Sequence, residues 1–251
     1  MKVDKFRTVI IYIIIILLGL VCLLPLLNIV AISFSSSAAV EGNMVGLIPV
    51  GFSTAAYEKI LEDSQFWHSF LISVERVVLT LIINFVLIVL MAYPLSKTNA
   101  QFRGRNIYAN LMIFAMLFNG GMIPTFLLVK SYGLLNTVWA LVLPGAVPIF
   151  NVILVMNFFA AVPKELEEAA FIDGANPLQV LTKIFIPISK PVLATVSLFS
   201  IVGSWNDFYS GLIYMSKATY YPLMTYIQSL QINVEDLIKQ GNLSAVVDSA
   251  S

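Results

Sequence analysis

The groups best suited to acid–base and metal chemistry in this 251-residue chain are fourteen carboxylates, beside one histidine and one cysteine. Cys22 alone allows no intrachain disulfide, and His68 alone allows no histidine-based metal cluster. No HExxH, CxxC or GxSxG spacing occurs. No GxxxxGK[ST] loop is present to cradle a nucleotide's phosphates, so any ATP hydrolysis belongs to another polypeptide. No catalytic residue and no metal site is assigned, and no cofactor in this chain. What stands out is a concentration of acid: Glu165, Glu167 and Glu168, then Asp173, with Asp207 isolated in apolar sequence. Acid without a nucleophile or a metal set points to docking and to polar lining rather than to bond-making.

The acidic cluster lies in residues 162–190, VPKELEEAAFIDGANPLQVLTKIFIPISK. Pro163 suits the first turn of a helix, where a missing N–H costs nothing. The glutamates then fall in the first turns, where the helix dipole favours negative charge. Gly174 is a natural stop after the helix. Asn176 as N-cap and Pro177 at the next position start a second helix at once. Leu178, Leu181, Ile184 and Phe185 recur at helical spacing until Pro187. The segment therefore reads as two short helices joined by Asp173-Gly174-Ala175. The small Ala169-Ala170 pair permits close backbone approach, with Leu166, Phe171 and Ile172 as apolar anchors. A helix lying on a membrane surface is usually basic on its polar face. Three glutamates against one lysine favour a protein partner instead.

The elements that must carry this loop are membrane spans. Hydrophobic residues make up 59% of the chain and charged residues 11%, with a mean hydropathy of +0.90. A soluble domain carries about 25% charged residues. The zero formal net charge gives no electrostatic reason for a nucleic-acid partner. Five runs are long enough to cross about 30 Å of hydrocarbon: Thr8–Ser33, then 70–95, 107–129, 137–161 and 191–215. The expected fold class is thus an all-α integral membrane protein with five transmembrane helices. The first run is too long for the apolar part of a signal peptide and reads as a retained helix.

With a cytoplasmic N-terminus, nine of the fourteen basic residues fall on inner segments, as the positive-inside rule requires. The outer loop after the first span carries Glu41, Glu58, Glu62 and Asp63, and the acidic two-helix loop becomes cytoplasmic. Residues 217–251 contain no further spanning run, and 242–251 are small and polar. The organisation expected is residues 1–69 as an N-terminal span with an external loop, then a transmembrane domain over 70–251. Pro25, Pro94, Pro124, Pro144 and Pro148 lie in or beside spans, where proline removes a hydrogen bond.

An ionisable group within a span is costly and faces a cavity or a partner. Asp207, with Trp205 and Asn206, is a candidate lining for a path taken by a hydroxyl-rich solute, or a cap at a helix break. Asn151 and Asn157 are candidates for the same path or for interhelical hydrogen bonds. Glu75 and Arg76 read as a surface or interhelical pair, and Trp67-His68 as part of an interfacial belt.

The two-helix loop resembles the EAA signature of ABC-importer permeases. Glu168-Ala169-Ala170, Gly174, Ile184 and Ile186-Pro187 all fall at the signature's spacing, with Ile186 where leucine is common. The form EEAAFIDGA is similar to the carbohydrate subgroup. So are Trp205-Asn206-Asp207-Phe208, Tyr221-Pro222-Leu223 with Tyr226-Ile227-Gln228, residues 118–124 and residues 143–148. The resemblance runs from about Thr8 to Ser251. It implies a type I ABC-importer permease fold, with 70–251 as the ABC transmembrane type-1 domain and 162–190 as the coupling loop. It implies that Glu168 is the docking acid, that Gly174 permits the bend and that Asp173 braces it. The implied partners are a second homologous permease, two ATP-binding subunits that hold ATP and Mg²⁺, an extracytoplasmic solute-binding protein and the lipid bilayer. The implied location is a bacterial plasma membrane, and the implied cargo is a sugar or oligosaccharide. The family has a sixth helix and a short cytoplasmic tail beyond the point where this sequence stops, so a chain lacking both is expected.

The loop signature alone does not separate saccharide cargo from a peptide or amino acid. An ion-coupled secondary transporter would show inverted repeats or several intramembrane carboxylates, and Asp207 stands almost alone. A membrane-embedded enzyme would need a nucleophile or metal constellation, and none is evident.

Overall fold

The computed structural model describes residues 5–118 and 120–239, and is helical with no strand among them. Asn119 and the polar stretch 242–251 lie outside the described residues. The chain divides at Trp67 and His68 into two units.

In the first unit, α1 (Lys5–Ser33) is a single helix whose apolar side chains are exposed almost throughout. Such a helix needs a hydrocarbon solvent. The segment after it folds back on its last turn. Asn28 Nδ2 donates to the carbonyls of Val45 and Gly46, and Ser35 Oγ accepts from the Val50 amide at 3.0 Å. Phe34 stacks on Phe52 and Tyr57. Two short helices, α2 (Ser37–Glu41) and α3 (Ala55–Glu62), complete the loop.

The second unit is built around α4 (Ser64–Leu95), which with Thr8–Ser33 is one of two unbroken helices long and apolar enough to span. Its Ile88, Val89, Ala92 and Leu95 pack against Val152, Val155 and Phe159 of α8 (Ile149–Ala160). They also meet Val192, Leu193 and Val196 of α12 (Lys190–Asn206). A second cluster joins Val129 of α6 (Met122–Ser131), Ala140 and Leu141 of α7 (Val138–Val142), and Tyr214 of α13 (Tyr209–Tyr214).

Three of the five expected spans are not single straight helices. Where 107–129 reads as one run, α5 (Arg105–Leu117) ends at Phe118 and α6 starts at Met122. Gly121 has φ +90°, open to glycine, and Pro124 falls in the first turn of α6, where no amide is needed. In 137–161, α7 tightens into a 3₁₀ turn at Leu143–Gly145 and bends by 47° into α8, at Pro144 and Pro148. In 191–215, α12 stops at Asn206 and α13 begins at Tyr209. Asp207 is extended, and its Oδ1 accepts the Ser210 amide at 3.1 Å, starting the next helix.

Beyond these runs, α14 (Leu223–Lys239) is an amphipathic helix the apolar-run reading left unassigned. Its first amide, from Leu223, donates to Ser73 Oγ of α4 at 2.7 Å, and Thr225 Oγ1 donates to the Phe208 carbonyl at 2.9 Å. Thr225 is fully buried, and a Cβ at Gly211 of α13 would overlap its Oγ1, Cβ and Cγ2. Gly211→Ala is therefore expected to destabilise the protein by about 1–3 kcal/mol, the usual cost of overpacking. Thermal unfolding of the purified protein in detergent checks this, and Gly211→Ala combined with Thr225→Ala should recover only part of the loss, because the second change also removes the hydroxyl that donates to the Phe208 carbonyl.

Candidate functional site

The loop between α8 and α12 folds as its capping residues dictate. Its first helix, α9 (Lys164–Ile172), carries Glu165 and Glu167 in its first turn. The chain then turns at Gly174, whose φ of +81° is a left-handed value that side chains resist. Asn176 closes a capping box: its Oδ1 accepts the Gln179 amide, and the Gln179 side chain accepts the Asn176 amide, both at 2.9 Å. From there α10 (Pro177–Val180) passes through a π-helical turn, Leu181–Phe185, into α11 (Ile186–Ile188). π-turns recur at functional sites because they re-aim the side chains around them. Here the turn buries Leu181 and Phe185 in the main core while Thr182 and Lys183 stay exposed. An 84° bend at fully buried Ser189 then leads into α12.

The loop is anchored by a glutamate, and it is not the glutamate of the signature. Glu167 is buried and forms an ion pair of 2.7 Å with Lys97, just past the end of α4. The Tyr93 hydroxyl donates to the same carboxylate at 3.5 Å. The Lys97 ammonium also sits 4.1 Å from the ring centre of Tyr93 and 4.2 Å from that of Phe185. Phe185 in turn packs edge-on against Tyr93 and Phe159. Burial holds the Lys97 ammonium below the usual lysine range, and the Glu167 carboxylate opposes that shift. The base of the loop is thus a desolvated charge pair inside an aromatic box, tying α9 and the π-turn to the end of α4.

The opposite face of the loop is open. Glu168, Ala169, Asp173, Gly174 and Pro187 are exposed, while Ala170 and Ile184 are half-buried against the core. Leu166, Phe171 and Ile172 project outward, Ile172 at 87% exposure. Leu178, 62% exposed, joins them and was not among the anchors expected. Neighbouring residues on a helix point about 100° apart, so of Glu167 and Glu168 one can face in while the other faces out. Sequence reading gave Glu167 only a place among the first-turn acids and Phe185 only a place in the helical pattern, and gave Lys97 and Tyr93 no part in the loop. The available signal was the doubled glutamate, together with a lone lysine directly after a span.

A second polar site lies among α4, α7, α8, α12 and α13. Arg76 is buried and pairs with Asp207 of the α12–α13 break, rather than with exposed Glu75. Its Nη1 also donates to the Asp207 carbonyl at 2.9 Å. Both residues border a cavity of about 280 Å³ that is also lined by Thr80, Asn84, Asn151 and Ser200. Of the path residues expected from sequence, Asn151 and Asp207 meet at this cavity. Asn157 and Asn206 are exposed elsewhere, and Trp205 packs edge-on against Phe70. Among the described residues there is no group of three or more His, Cys, Asp or Glu side chains placed to hold a metal ion.

Comparison with known proteins agrees with this architecture. The pattern of the family described as binding-protein-dependent transport system inner membrane component matches residues 77–247. Protein LplC of Bacillus subtilis (strain 168) is 42% identical over 85% of this chain and 72% of its own length. The polygalacturonan/rhamnogalacturonan transport system permease protein YtcP of the same organism is 39% identical over 96% of this chain and 83% of its own. A solved chain of a bacterial ABC transporter involved in the import of the acidic polysaccharide alginate superposes with a TM-score of 0.83. It is 34% identical and covers 92% of this chain and 81% of that one.

Breaking a buried ion pair strands a desolvated charge and costs about 3–5 kcal/mol, whereas replacing both partners by apolar groups is often neutral. Lys97→Met and Glu167→Gln should each lower stability on that scale, and Lys97→Met with Glu167→Leu should recover most of it. Glu168→Gln should stay within about 0.5 kcal/mol of wild type. Unfolding curves of the four purified variants check the assignment of inner and outer glutamates.

Proposed function

The chain belongs to the family of binding-protein-dependent transport system inner membrane components, and on that premise we propose that it forms half of the membrane path of an ATP-driven saccharide importer. As a permease component of such a system it is not itself an enzyme. The observation that carries the mechanism is the two-faced loop, braced by Glu167 and Lys97 on one side and presenting Glu168, Ala169, Phe171 and Ile172 on the other. A rigid base with an exposed acidic and apolar face suits a lever that another protein grips.

In this reading the N-terminus and the loop face the cytoplasm of a bacterium, in keeping with nine of fourteen basic residues on that side. Two ATP-binding subunits, which hold ATP and Mg²⁺, dock on the loops of this chain and of a second homologous permease. An external solute-binding protein delivers the cargo. Glu168 makes the charged contact with the ATPase, and Ala169 lets its surface approach the helix backbone, while Ala170 allows the close seating of the helix on the core. Gly174, with Asp173 before it, sets the angle between the two loop helices. Ile184 and Pro187 seat the second helix and turn it toward α12. Closure of the ATPases displaces α9, and the Glu167–Lys97 pair passes the displacement to α4.

The cargo is a sugar or oligosaccharide rather than a peptide or amino acid. The substrates named for two similar proteins, polygalacturonan or rhamnogalacturonan for one and alginate for the other, support this, and these polysaccharides are rich in uronates. The test begins with co-purification of the ATPase subunits on wild-type permease, on Glu168→Ala and on Gly174→Val. Each variant is expected to reduce association at least tenfold while leaving the helices folded, since valine resists a φ of +81°. Full association in both would remove the loop from the docking role. Uptake of trigalacturonate and of maltotriose into proteoliposomes bearing the whole importer then reads the cargo.

A further inference from the structure

We propose that the groove between α4, α5 and the start of α8 binds one anionic phospholipid, with an acyl chain in the groove and the headgroup on Arg103 and Arg105. The importer reading supplies only the side of the membrane: it puts both arginines at the inner leaflet. The groove has a volume of about 440 Å³ and is lined almost wholly by apolar side chains. Leu90, Met91 and Leu95 of α4 face Leu111, Met112 and Ala115 of α5 across it, and Ile149 at the start of α8 completes it. Leu90 is 50% exposed and Leu111 57%, so the described chain does not fill the space. An apolar groove on a membrane-spanning unit meets either lipid or a partner helix. The charges at one end choose between them.

Arg105 begins α5, and Tyr108, Leu111, Met112 and Ala115 follow along one stripe at helical spacing. Ten residues of helix rise roughly 15 Å, half of the roughly 30 Å of hydrocarbon. The stripe thus runs from a headgroup donor through an aromatic ring to an apolar tail, the order met along one leaflet. Arg105 is fixed at the end of α4: its Nε donates to the Leu95 carbonyl at 2.9 Å and its Nη1 to Asn106 Oδ1 at 3.2 Å. Two of its five N–H donors are used and three remain for a phosphate. Phe102 and Tyr108, which both line the groove, stack beside it with ring centres 5.7 Å apart. Arg103, between Phe102 and Arg105, is exposed. Neither arginine is in an ion pair among the described residues, and no Asp or Glu occurs in sequence between Glu75 and Glu165. Of the basic residues in this turn, Lys97 alone is answered by a carboxylate, Glu167. α5 has neither a capping side chain nor an acid in its first turn, so its dipole adds to the positive potential. A helix from a second subunit would fill the apolar part and leave both guanidiniums without an anion. An anionic phospholipid satisfies both parts, and the guanidinium fork suits phosphate.

The test counts bound lipid by native mass spectrometry on the delipidated full chain, alone and in the assembled importer. Each is titrated with phosphatidylglycerol or with phosphatidylcholine of the same acyl chains. Wild type should bind phosphatidylglycerol roughly thirtyfold more tightly than phosphatidylcholine, the combined attraction of two basic residues for an anionic headgroup. Arg103→Gln should lose about fivefold of that preference. Arg103→Gln with Arg105→Gln should lose nearly all of it, with phosphatidylcholine affinity unchanged. Arg103 is exposed, so its variant reads the headgroup even where loss of the Arg105–Leu95 bond loosens the turn. Ala115→Trp fills the groove and should weaken both lipids by about tenfold. Equal affinity for the two lipids in wild type, a preference kept in the double variant, or wild-type binding in Ala115→Trp would overturn the site. So would a preference that vanishes on assembly, which would give the groove to a partner subunit. A wild type that recruits no ATPase would sink the importer reading instead, and the lipid preference of the chain alone would still decide the groove.

Discussion

Hydrocarbon cannot hydrogen-bond a backbone amide or carbonyl, and the whole architecture follows from that restriction. A chain this apolar has to be helical wherever it meets lipid, and any interruption must bring its own partners. The break between α12 and α13 shows how. The carbonyl of Asp207 is taken by Arg76 of α4, and that of Phe208 by Thr225 of α14. The guanidinium also lies at the carbonyl end of α12, where the helix dipole favours a cation. The break thus gathers side chains from two other helices, and the polar cavity beside it follows from that gathering. Pro144, Gly145 and Pro148, which bend the α7–α8 segment, line the same cavity.

The two interhelical ion pairs between described side chains in the second unit both involve α4 or its immediate end. Arg76 binds the α12–α13 break, and Lys97 binds the loop base. Twenty-one residues of helix would separate them by roughly 31 Å, about the thickness of the hydrocarbon core. Between them α4 packs through Ile88, Val89 and Ala92 on α8 and α12. The helix therefore joins the loop at one end to the polar cavity at the other. Without a strong hydrophobic force between helices in lipid, such tight packing and buried polar contacts are what hold the arrangement together.

Much of this was legible beforehand. The five apolar runs, the two short helices with their glycine turn and the Asn176 cap depend on local chemistry: run length, capping residues, a left-handed position. The breaks were only half legible. Pro144 and Pro148 announced a bend, but Asp207 as the end of α12 depends on Arg76, 131 residues away in sequence. The pairing of Lys97 with Glu167 is likewise a tertiary fact, since nothing local in either residue names the other. Reading Glu75 and Arg76 as a surface or interhelical pair named the wrong partner, since buried Arg76 pairs across helices with Asp207 while Glu75 stays exposed. The amphipathic α14 was missed because a test for apolar runs is blind to a helix with one polar face.

The division of labour between Glu167 and Glu168 carries the physical logic furthest. A lever must be stiff at its root and available at its tip. At the root, removal from water strengthens the attraction between Glu167 and Lys97, and the two aromatic rings keep competing water out. The same burial makes the pair intolerant of loss, so the joint is either whole or broken. At the tip, Glu168 is exposed and hydrated, which leaves it open to the proposed partner and gives the helix no rigidity. Adjacent positions on one helix are the shortest connection between these roles, because about 100° of rotation turns one carboxylate to the core and the next to solvent. In the proposed docking, a displacement applied at Glu168 would reach Glu167 through a single peptide unit, and α4 through the buried Glu167–Lys97 pair.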